Sequence, residues 1–176
     1  MPLPPTFDEY LAVLPGKLRH EIRRKARRLQ EETGGYRLEH ATAATLTEDL
    51  DCFVELHRSS EGPKGKFMEP GMEIFFRRLG EEFLGDGVFR MAFVEVEGTK
   101  VAGAIGFSYD GVFLLYNSAY DRGWSRLAPG LVLVGDLIAE AIDEGCRAFD
   151  MLKGDLEYKY RFGSTPRRVR RLVVRR

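Results

Sequence analysis

The sequence predicts a mixed α/β (α+β) domain, with a mostly antiparallel central sheet and flanking helices, preceded by an N-terminal helical connector. Three observations carry this expectation. The apolar period changes from 3.6 to 2 residues near Val88, which marks a passage from helices to sheet. Asp110-Gly111 lies between two apolar runs as a two-residue hairpin turn. The last third then reads strand, long helix, strand, and a crossover of that length places its second strand parallel to a neighbour in the same sheet. With 176 residues, 44% hydrophobic and 31% charged, the chain suits a single compact unit with an ordinary core.

Each element follows from local chemistry. Thr6-Phe7-Asp8-Glu9 is a capping box that opens a short helix, and Pro15-Gly16 ends it. Leu18, Ile22, Ala26 and Leu29 then mark a narrow apolar stripe on a basic helix that closes at Gly34-Gly35. A stripe that narrow packs against one partner. Tyr36, Leu38 and His40 alternate as a half-buried first strand. A helix from about Thr47 to Ser59 buries Leu50, Phe53, Val54 and Leu56, with Glu48 and Asp49 in its first turn. Gly62-Pro63-Lys64-Gly65-Lys66 reads as a mobile loop, and Pro70 opens a helix whose Met72, Phe75, Phe76, Leu79 and Phe83 are expected in the core.

Val88–Val96, Val101–Tyr109 and Val112–Ala119 form the antiparallel meander. The long helix runs from Pro129 to Glu144 and is closed by Gly145, followed by a strand over Ala148–Leu152. Lys153–Phe162 is expected as a short polar-aromatic helix and Val169–Val174 as a last strand.

No run reaches the roughly 18 to 20 apolar residues of a bilayer span, and MPLPPTFDEY lacks the order of a secretory signal, so the expected compartment is the cytoplasm. Two cysteines, Cys52 and Cys146, and three scattered histidines form neither a disulfide framework nor a zinc-ligand spacing, so no metal site is expected. Net charge is zero, but Lys17–Arg28 carries +6 and Arg167–Arg176 another +6, against −12 on the rest. These segments either dock on the protein's own acidic surface or bind a polyanion: RNA, an anionic lipid surface or a nucleotide phosphate. Aromatics do not interleave with the arginines, which argues against stacking on single-stranded bases.

The order strand, two helices, three-strand meander, helix, strand, helix, strand resembles the Gcn5-related N-acetyltransferase (GNAT) fold from about Tyr36 to Val174. More specific wording lies in Leu127-Ala-Pro-Gly130 and in Phe149-Asp-Met-Leu-Lys-Gly-Asp-Leu-Glu-Tyr-Lys-Tyr-Arg-Phe-Gly163. This resembles the branch holding CelD-like acetyltransferases and FemAB-type peptidyltransferases. Leu14-Pro-Gly-Lys-Leu-Arg-His-Glu-Ile-Arg-Arg-Lys is similar to the connector of those proteins, so residues 1–34 are expected as a helical connector and residues 35–176 as a GNAT-like domain.

The resemblance implies acetyl-CoA, or another acyl-CoA, as co-substrate. Its pyrophosphate would rest at the start of the long helix, where unpaired amides and roughly half a positive charge gather. Ser125, Arg126, Leu127, Ala128, Gly130 and Leu131 hold that place. The family's phosphate loop reads Gln/Arg-x-x-Gly-x-Gly/Ala, and here Ser125 stands first and Ala128 replaces the first glycine; Pro129 removes one amide donor. The resemblance also implies that the meander's last strand parts from the strand after the helix, leaving backbone groups of Tyr116, Asn117, Ser118 and Ala119, and of Asp150 to Lys153, free for the pantetheine arm.

Acyl transfer to an amine needs a base for the ammonium and an acid for the departing thiolate. In the family the acid is often a tyrosine after the second parted strand, a place held by Tyr158, with Tyr160 second. His57, Asp155 and Glu157 are the candidate bases; His57 is chosen for an ordinary pKa of about 6.5. Asp155 is also placed to cap the helix of Tyr158. Lys159 either steadies an acyl carbonyl or substrate carboxylate, or pairs with a surface acid.

Three functional expectations follow: an acyl-CoA-dependent N-acyltransferase acting on a small amine such as an amino sugar or amino acid, a FemAB-type transferase using aminoacyl-tRNA, or a non-catalytic binding or assembly module. An open sheet edge near Val169–Val174 is expected to pair two copies as a homodimer.

Overall fold

In the computed structural model, residues 1–60, 63–170 and 172–174 are described. Two helices, α1 (Phe7–Val13) and α2 (Gly16–Thr33), precede a short strand β1 (Arg37–His40). Three helices follow, α3 (Leu46–Arg58), α4 (Pro63–Phe67) and α5 (Pro70–Phe83). The meander is β2 (Phe89–Val96), β3 (Thr99–Tyr109) and β4 (Val112–Tyr120). A 3-10 turn over Arg122–Leu127, α6 (Pro129–Asp143), β5 (Ala148–Asp150) and α7 (Glu157–Tyr160) complete the order.

The strands lie in sequence order, antiparallel from β1 to β4, with β5 parallel to β4. Alternation along the strands divides the core in two. Ala92, Val94, Ala102 and Ala104 face α1, α2 and α6, together with Leu133, Ile138 and Phe149. Met91, Phe93, Ile105 and Ala119 face α3 and α5, where Phe53 and Phe76 are almost wholly buried. The stripe on α2 meets α6 as its width requires, with Ile22 at Gly135. The basic residues of α2 pair with nearby acids: Arg23 with Asp8 at 2.9 Å, Arg28 with Glu32 at 2.6 Å and Arg27 with Glu31 at 3.8 Å.

Four expectations are corrected here. Residues 63–66 of the anticipated mobile loop belong to α4, while Gly62 lies outside the described residues. Phe75 and Phe83 are half exposed and Phe76 alone of that set's aromatics is buried, because the apolar arc of α5 is wider than the sheet beneath it. β5 ends at Asp150, two residues early, because Leu152 takes a left-handed φ of 52° that breaks the extended backbone.

The fourth concerns Val169–Val174, which is not a strand: Val169, Arg170, Leu172, Val173 and Val174 are irregular and exposed. The outer edge of β5, where a further strand would dock, is taken by the first three residues. The Met1 ammonium donates to the Phe149 carbonyl at 2.7 Å, the Phe149 amide donates to the Met1 carbonyl at 2.9 Å, and the Leu3 amide donates to Arg147 at 3.0 Å.

Among the described residues no helix is long and apolar enough to cross a membrane, and no group of three or more His, Cys, Asp or Glu is placed to hold a metal ion.

Candidate active site

β4 and β5 pair through three residues only, Val112–Leu114 against Ala148–Asp150. Beyond Leu114, β4 continues to Tyr120 with no strand partner on that side among the described residues. The ladder between β4 and the segment after β5 therefore has a gap beyond that point. At its root the Phe113 and Phe149 rings stack at 5.0 Å, fixing the pivot.

β4 is also irregular at the gap. Ile105 pairs with Asn117 but Gly106 pairs with Leu115, leaving Tyr116 as the extra residue of a β-bulge. A bulge leaves one residue out of the ladder and bends the strand, a device common beside active sites. The Tyr116 ring falls on the α3/α5 side, against Phe76 at 5.5 Å, Phe107 at 5.9 Å and Phe67 at 6.5 Å. The Asn117 side chain folds back to accept from the Ser118 amide at 2.9 Å. Ser118 pairs with Ala104 in the ladder and so faces the α6 side, where it lies beside Tyr158. Tyr158 is half buried in the core cluster there, and burial pushes its phenol up from the ordinary range, only partly offset by Ser118.

The start of α6 closes the upper end. Asp121 accepts from the Gly123 amide at 2.8 Å and starts the 3-10 turn. Ala128 then adopts φ 54°, ψ 48°, so the backbone turn a glycine would serve is made without one. Its amide donates to Ser125, and its carbonyl accepts from Leu131 and Val132. Space at Gly130 is tight: a Cβ there would stand 3.1 Å from the Tyr120 ring, which seats the helix on the last residue of β4. With no donor on Pro129 and Leu131 already bonded, the Gly130 amide is the first-turn donor that makes no bond to a described residue. Leu127 is buried in the core and Ser125 is exposed.

Arg126 pairs with Glu32 of α2, a contact shared with Arg28. The two arginines hold the Glu32 carboxyl at about 2, well below the usual carboxylate range, with the hydrogen bond from Arg126 the larger cause. This ion pair ties the turn before α6 to α2.

The candidate chemical groups separate. His57 is fully buried on the α3/α5 side, its ring 5.9 Å from Phe53 and 5.6 Å from Phe67. Tyr158 lies on the opposite side of the sheet, so the two are not brought together. Asp155 does not cap α7, whose first turn has no side-chain cap; it accepts instead from the Tyr160 hydroxyl. Glu157 pairs with Arg161 at 3.1 Å. Lys159 is almost fully buried, and its ammonium donates to the carbonyls of Met151 at 2.7 Å, Lys153 at 2.9 Å and Leu152 at 3.3 Å. That is neither of the two surroundings the sequence suggested. The bulge and the ring cluster around Tyr116 were missed in sequence, since an extra residue in a regularly alternating strand leaves no local signal.

A sheet with one short parallel strand, parted from a bulged neighbour beside a helix start, is the architecture of the GNAT fold. Residues 16–160 match the family described as the acetyltransferase (GNAT) domain, and the chain belongs to that family. Solved structures of the same fold include a GCN5-related N-acetyltransferase from Ralstonia eutropha, 15% identical over 80% of this chain and 99% of that one, with a TM-score of 0.59. A predicted acetyltransferase with acetyl-CoA from Clostridium acetobutylicum is 10% identical over 75% of this chain and 91% of that one, at 0.57. An aminoglycoside acetyltransferase from an uncultured soil metagenomic sample, in complex with sisomicin, is 13% identical over 84% and 99% of the two chains, at 0.56. No curated protein matches the sequence.

Proposed function

We propose that this GNAT acetyltransferase is an N-acyltransferase that takes its acyl group from acetyl-CoA, or another acyl-CoA, and passes it to a small amine. The observation that carries the reading is the gap itself: β4 loses its partner after Leu114 and is bulged at Tyr116, so an extended thioester has strand-edge backbone to lie along. The fit of the phosphate end is narrower. The Gly130 amide and the start of α6 suit an anion, and Arg126 adds charge once it leaves Glu32, which keeps Arg28.

In this reading Tyr158 is the acid. The amine reacts as the free base, its ammonium proton lost to solvent; as the C–N bond forms and the C–S bond breaks, the thiolate takes the phenolic proton, and the proton shed by the new amide nitrogen returns to the phenolate. An upward-shifted phenol is fully protonated at neutral pH and ready for that step. Asp155, exposed beside Tyr160, supplies negative charge for an incoming ammonium. His57, buried against Phe67, acts through packing of the ring cluster around Tyr116.

The wording shared with CelD-like and FemAB-type proteins supports residues 1–34 as a connector to the domain formed by 35–176. The exposed Lys17 and Arg24 of α2 keep an aminoacyl-tRNA donor as the second reading. Isothermal titration separates the two. Saturable CoA binding at micromolar to millimolar concentration is expected, and no heat or thermal shift at millimolar acetyl-CoA overturns the first reading. A steep salt dependence of tRNA binding in its place would establish the second.

A further inference from the structure

We propose that Lys159 is a positioning residue that turns the loop after β5 so that the Lys153 and Gly154 amides face outward as a paired donor for a carbonyl of the pantetheine arm. The inference rests on the acyl-CoA reading and deepens it, because it names the groups on the far wall of the gap.

Three consecutive carbonyls share one partner. Those of Met151, Leu152 and Lys153 all converge on one ammonium, 2.7, 3.3 and 2.9 Å away. Every peptide bond here is trans, and in a trans peptide the N–H points opposite to the C=O of the same plane. Three carbonyls turned toward Lys159 therefore turn three amides away from it, those of Leu152, Lys153 and Gly154. Asp150 accepts from the Leu152 amide at 2.7 Å. The Lys153 and Gly154 amides donate to no described residue, and both residues are exposed. Two successive outward amides form a concave donor set that suits a carbonyl or an anion.

The backbone is unusual enough to need an organiser. Leu152 is left-handed at φ 52° and Gly154 sits at φ 116°, a region costly to a side chain. A Cβ on Gly154 would also approach the lysine ammonium to 3.5 Å. Desolvation by burial lowers the Lys159 ammonium from its usual range, with Asp150 opposing the shift. Burying a cationic group is costly unless hydrogen bonds compensate it, and here the three carbonyls use all three of its N–H donors.

Position then selects the ligand. Asp150 is the last β5 residue paired to β4, opposite Leu114, so the loop begins where the gap opens. Tyr158, the neighbour of Lys159 in α7, contacts Ser118 on the other wall. The amide pair thus borders the stretch of β4 that lacks a strand partner, where an extended arm with its own amide carbonyls would lie.

The test compares two ligands on the full chain, CoA and adenosine 3′,5′-bisphosphate, which lacks the arm. Lys159→Met is expected to weaken CoA by about tenfold while leaving the bisphosphate unchanged, the loss of one or two neutral hydrogen bonds. Lys159→Arg, which keeps the charge but cannot seat a planar fork among three carbonyls, is expected to recover only part of the loss. Unchanged CoA affinity in Lys159→Met overturns the inference. An equal loss for both ligands overturns it too, since that is a general charge or folding effect. Should Lys159→Met fail to fold, amide proton shifts in the unaltered protein decide: Lys153 and Gly154 are expected to move downfield with CoA and not with the bisphosphate, and immobility with CoA overturns the assignment. If the unaltered protein binds no CoA, the acyl-CoA reading itself falls, an outcome distinct from normal CoA binding with an indifferent Lys159.

Discussion

Arg126 and Glu32 join the turn that precedes α6 to the last turn of α2, so the helix start proposed to receive an anion is already held to a carboxylate. The pair connects two parts of the chain that the sequence separates by the whole of β1 to β4. Because Glu32 also holds Arg28 at 2.6 Å, it stays partnered when Arg126 is drawn elsewhere.

The first prediction concerns that carboxylate. Its folded pKa is depressed to about 2, so the contact is complete above the ordinary carboxylate range near 4.3 and is lost as pH falls toward 2. A carbon-13 titration of the Glu32 side chain should give a midpoint near 2; one near 4 would show that the pair does not form. Glu32→Gln is expected to free Arg126 and tighten CoA at low salt.

A second prediction addresses Tyr158. Tyr158→Phe removes the acid and keeps the ring packing, so kcat should fall by about 10²- to 10³-fold with a small change in KM. Since burial raises the phenol, the alkaline limb of kcat assigned to it should lie above pH 10. An unchanged kcat in the phenylalanine variant removes Tyr158 from the chemistry.

Asp136 supplies a third. Burial lifts this α6 carboxyl to about 6, with Glu140 adding to the rise and a hydrogen bond from Tyr36 at 3.4 Å opposing it. The folded pKa lies above the unfolded value, so the group costs nothing below about pH 4 and destabilises progressively as pH rises through about 6. Asp136→Asn should therefore stabilise the protein near pH 8, by up to about 3 kcal/mol from the linkage relation, and change little at pH 4. Urea denaturation at the two pH values measures the difference; an equal effect at both would contradict the shift.

Close approach across the sheet gives the fourth. A Cβ on Gly103 would lie 2.6 Å from the Phe93 ring and 3.2 Å from Phe53, both fully packed. Gly103→Ala should cost about 1–3 kcal/mol by overpacking. A melting temperature equal to that of the unaltered protein would show that these rings can move.

Much of the architecture was legible because it rests on short-range chemistry. The Asp110-Gly111 turn, the period change at Val88 and the Pro129 start of α6 each declare themselves within a few residues, and each appears within a residue or so of its expected place. What was not legible depends on distant partners. The Met1–Leu3 pairing has no local run to announce it, and it displaces the strand expected from Val169 to Val174. Lys159 reads either as a cation that steadies substrate or as one paired with a surface acid, because nothing nearby in the sequence shows that three carbonyls converge on it. The site was legible at the level of segments, β4, the start of α6 and the stretch after β5, while the bulge at Tyr116 and the inward His57 were set by packing.

The clamp that Met1 and Leu3 place on β5 also bears on how the molecule is assembled. Met1 meets Phe149 across 148 residues of chain, among the longest loops this polypeptide can close. Such closure is slow relative to local turns, so docking of the first residues should be a late event, following the meander.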